Sequence, residues 1–270
     1  MATRRVAIVT GAAGGIGRAM VLGLLQSGHD VVATDRHAPA ISPPPGDGAL
    51  LPLACDLMAP TAADDILRAA LARFGRVDIL VNNAGVGTGT IRPDYWRKPI
   101  RFWEVTPEQY RGFLAVNTVA PFLLTCACAP HMLKQGFGRI VNVTTSLGTM
   151  LRAGSLAYGS SKAGLEAQTA SIAADLEGTP VTANVLVPGG VTNTGMVPEE
   201  SGFARDALLQ PDIMVPPLLW LVSDAASAVR ARRFLAVHWD SSIPPARAAE
   251  KAGAPIAWQS LAALPITPDR

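Results

Sequence analysis

The sequence is poor in the residues that anchor several protein classes. Three of its 270 residues are cysteines, and Cys126 and Cys128 alternate within an apolar run with no second Cys or His pair nearby. That pattern supports neither a disulfide framework nor a zinc site, and it predicts buried thiols in a reducing compartment. Charge is scarce too. Asp, Glu, Lys and Arg make up 16% of the chain, the formal net charge is +2, and no basic stripe dominates any segment. A balance of this kind argues against nucleic acid or an anionic membrane as a partner and favours small-molecule chemistry. His29, His37, His131 and His238 are scattered without ligand spacing or a nucleophile beside them, so neither a metal centre nor a hydrolase is indicated. The first apolar run, 6–9, is far too short for a signal-peptide core or a membrane span, which predicts a cytoplasmic protein.

What the chain does have is apolar residues, 49% of the total, in short and regularly spaced runs. They recur at 6–9, 30–34, 50–53, 79–81, 140–143 and 182–187. Between most of them lie stretches with helical spacing, at 16–27, 60–74, 106–135, 156–177 and 211–226. Alternation of β and α predicts a parallel sheet, and right-handed crossovers place helices on both of its faces. The segment 36–49 breaks the rhythm. Pro39, Pro43, Pro44, Pro45, Gly46 and Gly48 cannot sustain a helix, so this crossover is expected to be a loop. Two further irregular stretches, 86–105 and 189–210, interrupt the pattern, and no repeat or domain linker is evident.

The first run passes into Thr10-Gly11-Ala12-Ala13-Gly14-Gly15-Ile16-Gly17 just ahead of a helical pattern. Glycines at such a turn allow a tight bend, close approach of a pyrophosphate and close packing of helix on strand, while the helix N-terminus offers free amides. A glycine-rich turn alone also arises for steric reasons. Asp35 strengthens the reading, because it ends the second run about 20 residues later, where a carboxylate can accept hydrogen bonds from both adenosine ribose hydroxyls. The same charge repels a 2′-phosphate. NAD is therefore expected over NADP, although Arg36 follows directly and could swing toward a phosphate.

Tyr158 and Lys162 stand four apart in a helical stretch, so both project from one face. An ammonium beside a phenol favours the phenolate and lowers its pKa toward the working range of a general acid/base. Without other signals such a pair is usually an ordinary surface contact. Here Gly11, Gly15 and Gly17, then Asn82-Asn83-Ala84-Gly85, Asn117, Tyr158 with Lys162, and Pro188-Gly189 occur in the order and spacing of the short-chain dehydrogenase/reductase family. The resemblance covers about residues 5–227.

The resemblance implies an α/β fold, a doubly wound Rossmann-like three-layer sandwich with a seven-stranded parallel sheet. It implies one dinucleotide-binding and catalytic domain over 1–270, with a variable substrate loop or lid near 189–210 and a C-terminal extension at 240–270. By the same likeness Tyr158 is the acid/base, Lys162 holds the nicotinamide ribose, and Asn117 anchors a proton-relaying water. Gly11, Gly15, Ile16 and Gly17 form the phosphate turn; Asn83, Ala84 and Gly85 shape the sheet edge; Asp56 and Leu57 meet the adenine. Pro188, Gly189, Val191 and Thr192 contact the nicotinamide, with Thr194 as an alternative to Thr192. The implied reaction is hydride transfer between NAD(H) and a secondary alcohol or ketone, without a metal, in a homo-oligomer, a dimer or tetramer, that uses the 106–135 and 156–177 helices as its faces.

Three places depart from the family pattern. The position thirteen before Tyr158, most often serine, is Thr145, whose hydroxyl can donate the same bond, with Ser146 as the second candidate. The 86–105 stretch is unusually basic and aromatic, with Arg92, Arg97, Lys98 and Arg101 among Tyr95, Trp96 and Trp103. It could meet an anionic or aromatic substrate, or equally be a solvated loop or subunit contact. The usual C-terminal glycine turn is replaced by a segment around Arg232 to Asp240 and an Ala- and Pro-rich tail containing Trp258, expected to pack on its own or a neighbouring subunit. The alternative function is a catalytically silent nucleotide-binding regulator or scaffold. A sugar-nucleotide epimerase is disfavoured for want of a long C-terminal substrate domain.

Overall fold

In the computed structural model, which describes residues 4–45 and 48–258, the short apolar runs become the strands of one sheet. In chain order they are β1 (Val6–Thr10), β2 (Asp30–Asp35), β3 (Leu50–Ala54), β4 (Ile79–Asn82), β5 (Gly138–Val143), β6 (Val181–Val187), β7 (Arg232–Leu235) and β8 (Gly253–Pro255). Their spatial order is β3-β2-β1-β4-β5-β6-β7-β8. The first seven run parallel, and β8 pairs antiparallel with β7. The expected seven-stranded parallel sheet is thus extended by one antiparallel edge strand, built from part of the C-terminal extension. The remainder of that extension, from residue 259, lies outside the described residues.

Strands of this sheet are apolar throughout because each is covered on both faces. Successive side chains point to opposite sides, so Ala7 and Val9 of β1 enter one core while Ile8 enters the other. On the first face pack α1 (Gly15–Gln26), α7 (Val215–Leu221) and α8 (Pro245–Ala252), through Met20, Leu24, Leu218, Leu221 and Ala249. On the second pack α2 (Ala62–Phe74), α4 (Ala120–Gln135) and α6 (Leu156–Asp175), through Ile66, Leu124, Met132 and Ala173. The short α3 (Pro107–Leu114) and α5 (Leu147–Leu151) complete the set among the described residues.

The expected 106–135 helix is interrupted. Thr106 caps α3, accepting from the Gln109 amide at 3.2 Å, and a π-helical turn over Ala115–Val119 separates α3 from α4. Such a bulge rotates the residues it contains off the regular helical face, and it turns Asn117 into the interior. The proline-rich β2–β3 connection carries no helix among its described residues, as expected; Arg18 pins it by donating to the Ala40 carbonyl at 3.0 Å. Two expectations need correction. Cys128 is buried, but Cys126, two residues earlier on the same helix, is exposed, because an i, i+2 pair cannot share one helical face. Of the 86–105 stretch, Tyr95 and Trp96 line the ligand cleft while Arg92, Arg97, Lys98 and Arg101 do not; Arg92 pairs with Asp94 and Glu104, and Lys98 pairs with Asp94.

Candidate active site

The C-terminal ends of β1 to β6 open into one cleft of about 890 Å³, at the point where the strand order reverses between β1 and β4. Open α/β sheets bind ligands at this place. Nearly all the residues singled out in the sequence line it. Gly11, Gly15, Ile16 and Gly17 follow β1, Asp35 and Arg36 end β2, and Asp56 and Leu57 follow β3. Asn83, Ala84 and Gly85 follow β4, Thr145 and Ser146 follow β5, and Pro188, Gly189, Val191 and Thr192 follow β6. Tyr158 and Lys162 enter from α6. Asn117 stands behind this wall, with no exposed surface.

The phosphate turn is built for close approach. Gly11 has a φ of +66°, and a Cβ on Gly17 would lie 2.0 Å from the Gly11 carbonyl oxygen. No side chain caps α1, so its first amides stay available to an anion. Asn83 braces the turn by donating through Nδ2 to the carbonyls of Thr10 and Gly11, at 2.9 and 3.2 Å. Its position is thus structural toward the glycine loop as well as adjacent to the cleft. Gly17→Ala is expected to lower stability by roughly 1–3 kcal/mol, since the clash is with backbone that cannot step aside. Urea denaturation, alongside NADH binding by fluorescence, would measure it; an unchanged midpoint with unchanged binding would show that the turn has room it does not display.

Asp35 Oδ2 accepts from the Ala13 amide at 3.0 Å, and Oδ1 from the Arg36 amide at 2.8 Å. These bonds hold the carboxylate at the mouth of the glycine turn. Asp56 Oδ1 similarly accepts from the Met58 amide at 2.9 Å.

At the other end of the cleft Tyr158 and Thr145 both line the wall. Tyr158 is half-buried on the cleft, and desolvation pushes its pKa up to about 12, while the Thr145 hydroxyl draws it down against that effect. Lys162 is buried, its ammonium donates to the Val143 carbonyl at 2.8 Å, and burial pushes its pKa down to about 8. The expected lowering of the phenol by the lysine is therefore not what the protein shows. Desolvation dominates, and the ammonium is turned to the β5 backbone. Ser146, the alternative to Thr145, begins α5 and makes no side-chain cap there.

Asn117 spends its side chain on the protein. Nδ2 donates to the Val86 carbonyl at 3.0 Å and to Ser161 Oγ at 2.9 Å, and Oδ1 accepts from the Val86 amide at 2.8 Å. It ties the loop after β4 to α6 three residues past Tyr158. Thr192 turns its hydroxyl to the Gly190 carbonyl at 3.2 Å, while Thr194 lays its methyl against Gly15.

Sequence reasoning missed a buried polar knot under the site. Glu166, fully buried one helical turn beyond Lys162, accepts from Arg233 Nε at 2.8 Å and from Thr144 Oγ1 at 2.7 Å. Arg233 in turn donates to the Thr145 carbonyl at 3.1 Å. A charged pair of residues in an otherwise apolar strand, Arg232 and Arg233, was the one signal available. Arg152, which lines the cleft, was also missed.

A glycine turn at a helix N-terminus, an acid closing β2 and a Tyr-Lys pair facing them across the switch point define a nicotinamide-dinucleotide-binding oxidoreductase. A model of the short chain dehydrogenase family matches residues 5–203, and the chain belongs to the short-chain dehydrogenase/reductase family. A 3-oxoacyl-[acyl-carrier-protein] reductase of Synechocystis sp. is 29% identical over 237 residues, covering 84% of this chain and 92% of that protein. The solved structure of a 3-ketoacyl-(acyl-carrier-protein) reductase from Brucella melitensis complexed with NADH superposes with a TM-score of 0.70 at 27% identity, over 84% of this chain and 93% of that one. A putative NAD(P) dependent gluconate 5-dehydrogenase from Beutenbergia cavernae with bound NADP gives a TM-score of 0.71 at 31% identity, over 86% and 94%.

Proposed function

We propose that the protein is an NAD(H)-dependent oxidoreductase acting on a secondary alcohol or its ketone, with Tyr158 as general acid/base. The observation that carries this reading is that Tyr158, Thr145 and Lys162 line the same cleft as the glycine turn and Asp35. The glycine turn fits a pyrophosphate because Gly11 and Gly15 take positive φ ahead of a helix N-terminus that no side chain caps.

When bound, the nicotinamide supplies or takes the hydride. Tyr158 holds a proton at Oη at neutral pH, since burial keeps its pKa near 12, and gives it to the carbonyl oxygen during reduction. Thr145 Oγ1 donates a second hydrogen bond to that oxygen, so two fixed hydroxyls stabilise the developing negative charge. Lys162 adds positive charge beneath them and has further N–H donors for the ribose. Asn117 fixes Val86 and Ser161, and with them the walls on either side.

Asp35 supports a preference for NAD, because its carboxylate, held by the Ala13 and Arg36 amides at the mouth of the glycine turn, would repel a 2′-phosphate on the adenosine ribose. Steady-state rates with NADH and NADPH against a panel of ketones, 3-oxoacyl thioesters and oxo-polyols are expected to favour NADH by about 10- to 100-fold in kcat/KM. Asp35→Ala should erase most of that preference. Equal or better use of NADPH by the unaltered protein would overturn the NAD reading. Absence of turnover with the whole panel despite tight NADH binding would replace the enzyme by a nucleotide-binding scaffold.

The α3–α4 region exposes Val119, Phe122, Leu123 and Leu133 on the surface away from the sheet. Apolar side chains grouped on one helical surface suit a homo-oligomeric contact.

A further inference from the structure

The part of the cleft lined by the 86–105 stretch and by the residues around α5 differs in charge from the adenosine end. Asp35 and Asp56 lie at the adenosine end; no other carboxylate lines the cleft. The charged side chains there are Lys162, already turned to Val143, and Arg152. Arg152 differs from its basic neighbours, since Arg92 and Lys98 are paired with Asp94 whereas Arg152 has no ion pair among the described residues. Its guanidinium instead lies over the Trp96 ring, 4.7 Å from the centroid, and its Nε reaches Ser155 Oγ at 3.4 Å. Stacking on an indole fixes the plane of the fork and leaves its outer N–H edge free to meet a planar anion.

The support behind Arg152 is itself held. Trp96 meets Phe203 edge-on, with centroids 5.1 Å apart and an interplanar angle of 85°, so the loop after β4 and the segment after β6 close on each other at this point. The Trp96 indole N–H is buried without a hydrogen-bond partner, although indoles in such positions usually find one. Tyr95 stands beside it, and burial pushes its phenol pKa up.

We infer that Arg152, backed by Trp96, is an anion-binding subsite that recognises a carboxylate on the substrate, while the substrate's carbonyl or carbinol carbon sits at Tyr158. One guanidinium among neutral donors matches a single negative charge, which favours a carboxylate over a phosphate dianion. The preferred substrates are then small oxo acids and hydroxy acids. The inference deepens the proposed oxidoreductase function and rests on it.

The test compares acids with their own esters: 3-oxobutanoate, 4-oxopentanoate and 4-oxocyclohexanecarboxylate against the methyl esters, with NADH, in the unaltered protein and in Arg152→Met and Arg152→Lys. Calorimetric titration of the NADH complex with the same acids runs in parallel. The expected result is kcat/KM favouring at least one acid over its ester by on the order of 30-fold, carried mostly by KM. Arg152→Met should remove that preference, lowering kcat/KM for the acid far more than for its ester, and Arg152→Lys should restore part of it. Equal turnover of acid and ester, or an Arg152→Met loss that falls on both alike, would overturn the subsite and leave the oxidoreductase standing. Acid binding that depends on Arg152 without any turnover would uphold the subsite and remove the reaction. Neither binding nor turnover of any acid would overturn the subsite outright.

Discussion

Tyr158→Phe is expected to lower kcat by roughly 10³-fold or more while the NADH dissociation constant stays within about twofold. Phenylalanine keeps the ring and its packing and removes the hydroxyl proposed to carry the transferable proton beside Thr145. The pH dependence of the unaltered enzyme gives the same prediction a sign. Reduction needs the phenol protonated, and with its pKa near 12 that condition holds across the neutral range. The alkaline limit on reduction is then set by Lys162, whose charge is present below about 8 and lost above it. Reduction should therefore be level below about pH 8 and decline beyond it. Oxidation needs the phenol to shed its proton, so its rate should climb with pH over the same range. Stopped-flow measurement of NADH at 340 nm in both directions, roughly the absorbance band of the reduced cofactor, would follow both limbs. A Tyr158→Phe protein that retained a tenth of its turnover would sink the assignment.

What could be read in advance was the chemistry that depends on short spacing. The glycine turn, Asp35 about one β-α-β unit later and the Tyr158–Lys162 pair are local patterns, and the folded chain brings them to one cleft. The two-faced sheet was equally legible, because doubly covered strands must be apolar at every position. What escaped depends on tertiary context. Gly253-Ala254-Pro255 has no strand composition and becomes β8 because β7 would otherwise present an open edge. Arg92 and Arg152 are the same residue type near the same cleft, yet one is neutralised by Asp94 and Glu104 and the other is not, a difference set by folding of the 86–105 loop. The direction of the Tyr158 pKa shift was misjudged for the same reason: the spacing of Tyr and Lys reveals their proximity but not that both are desolvated and that the ammonium is claimed by Val143.

The largest stability effects are expected at Glu166 and Arg233, which lie 67 positions apart in the chain and join with Nε donating to Oε1 at 2.8 Å. Arg233 is 5% exposed and Glu166 not at all, so removing either leaves a charge desolvated and unpaired. Glu166→Ala or Arg233→Met should each cost about 3–5 kcal/mol, whereas the double variant Glu166→Leu with Arg233→Met should recover much of the loss, because the residual penalty is only repacking. The pair also has a consequence for the site. Arg233 holds the Thr145 carbonyl, Glu166 holds the Thr144 hydroxyl, and Glu166 accepts from the Ala257 amide at 3.3 Å, so the C-terminal extension is tied through one carboxylate to the residue that lines the cleft with Tyr158. The double variant, though nearly as stable as the parent, should therefore retain cofactor binding and lose kcat by about tenfold, with KM little changed. Urea denaturation would provide the stability cycle and steady-state kinetics the split between kcat and KM. Single variants within about 1 kcal/mol of the parent would show that the buried pair is solvated or replaceable. A stable double variant with full kcat would show that Thr145 is positioned without it.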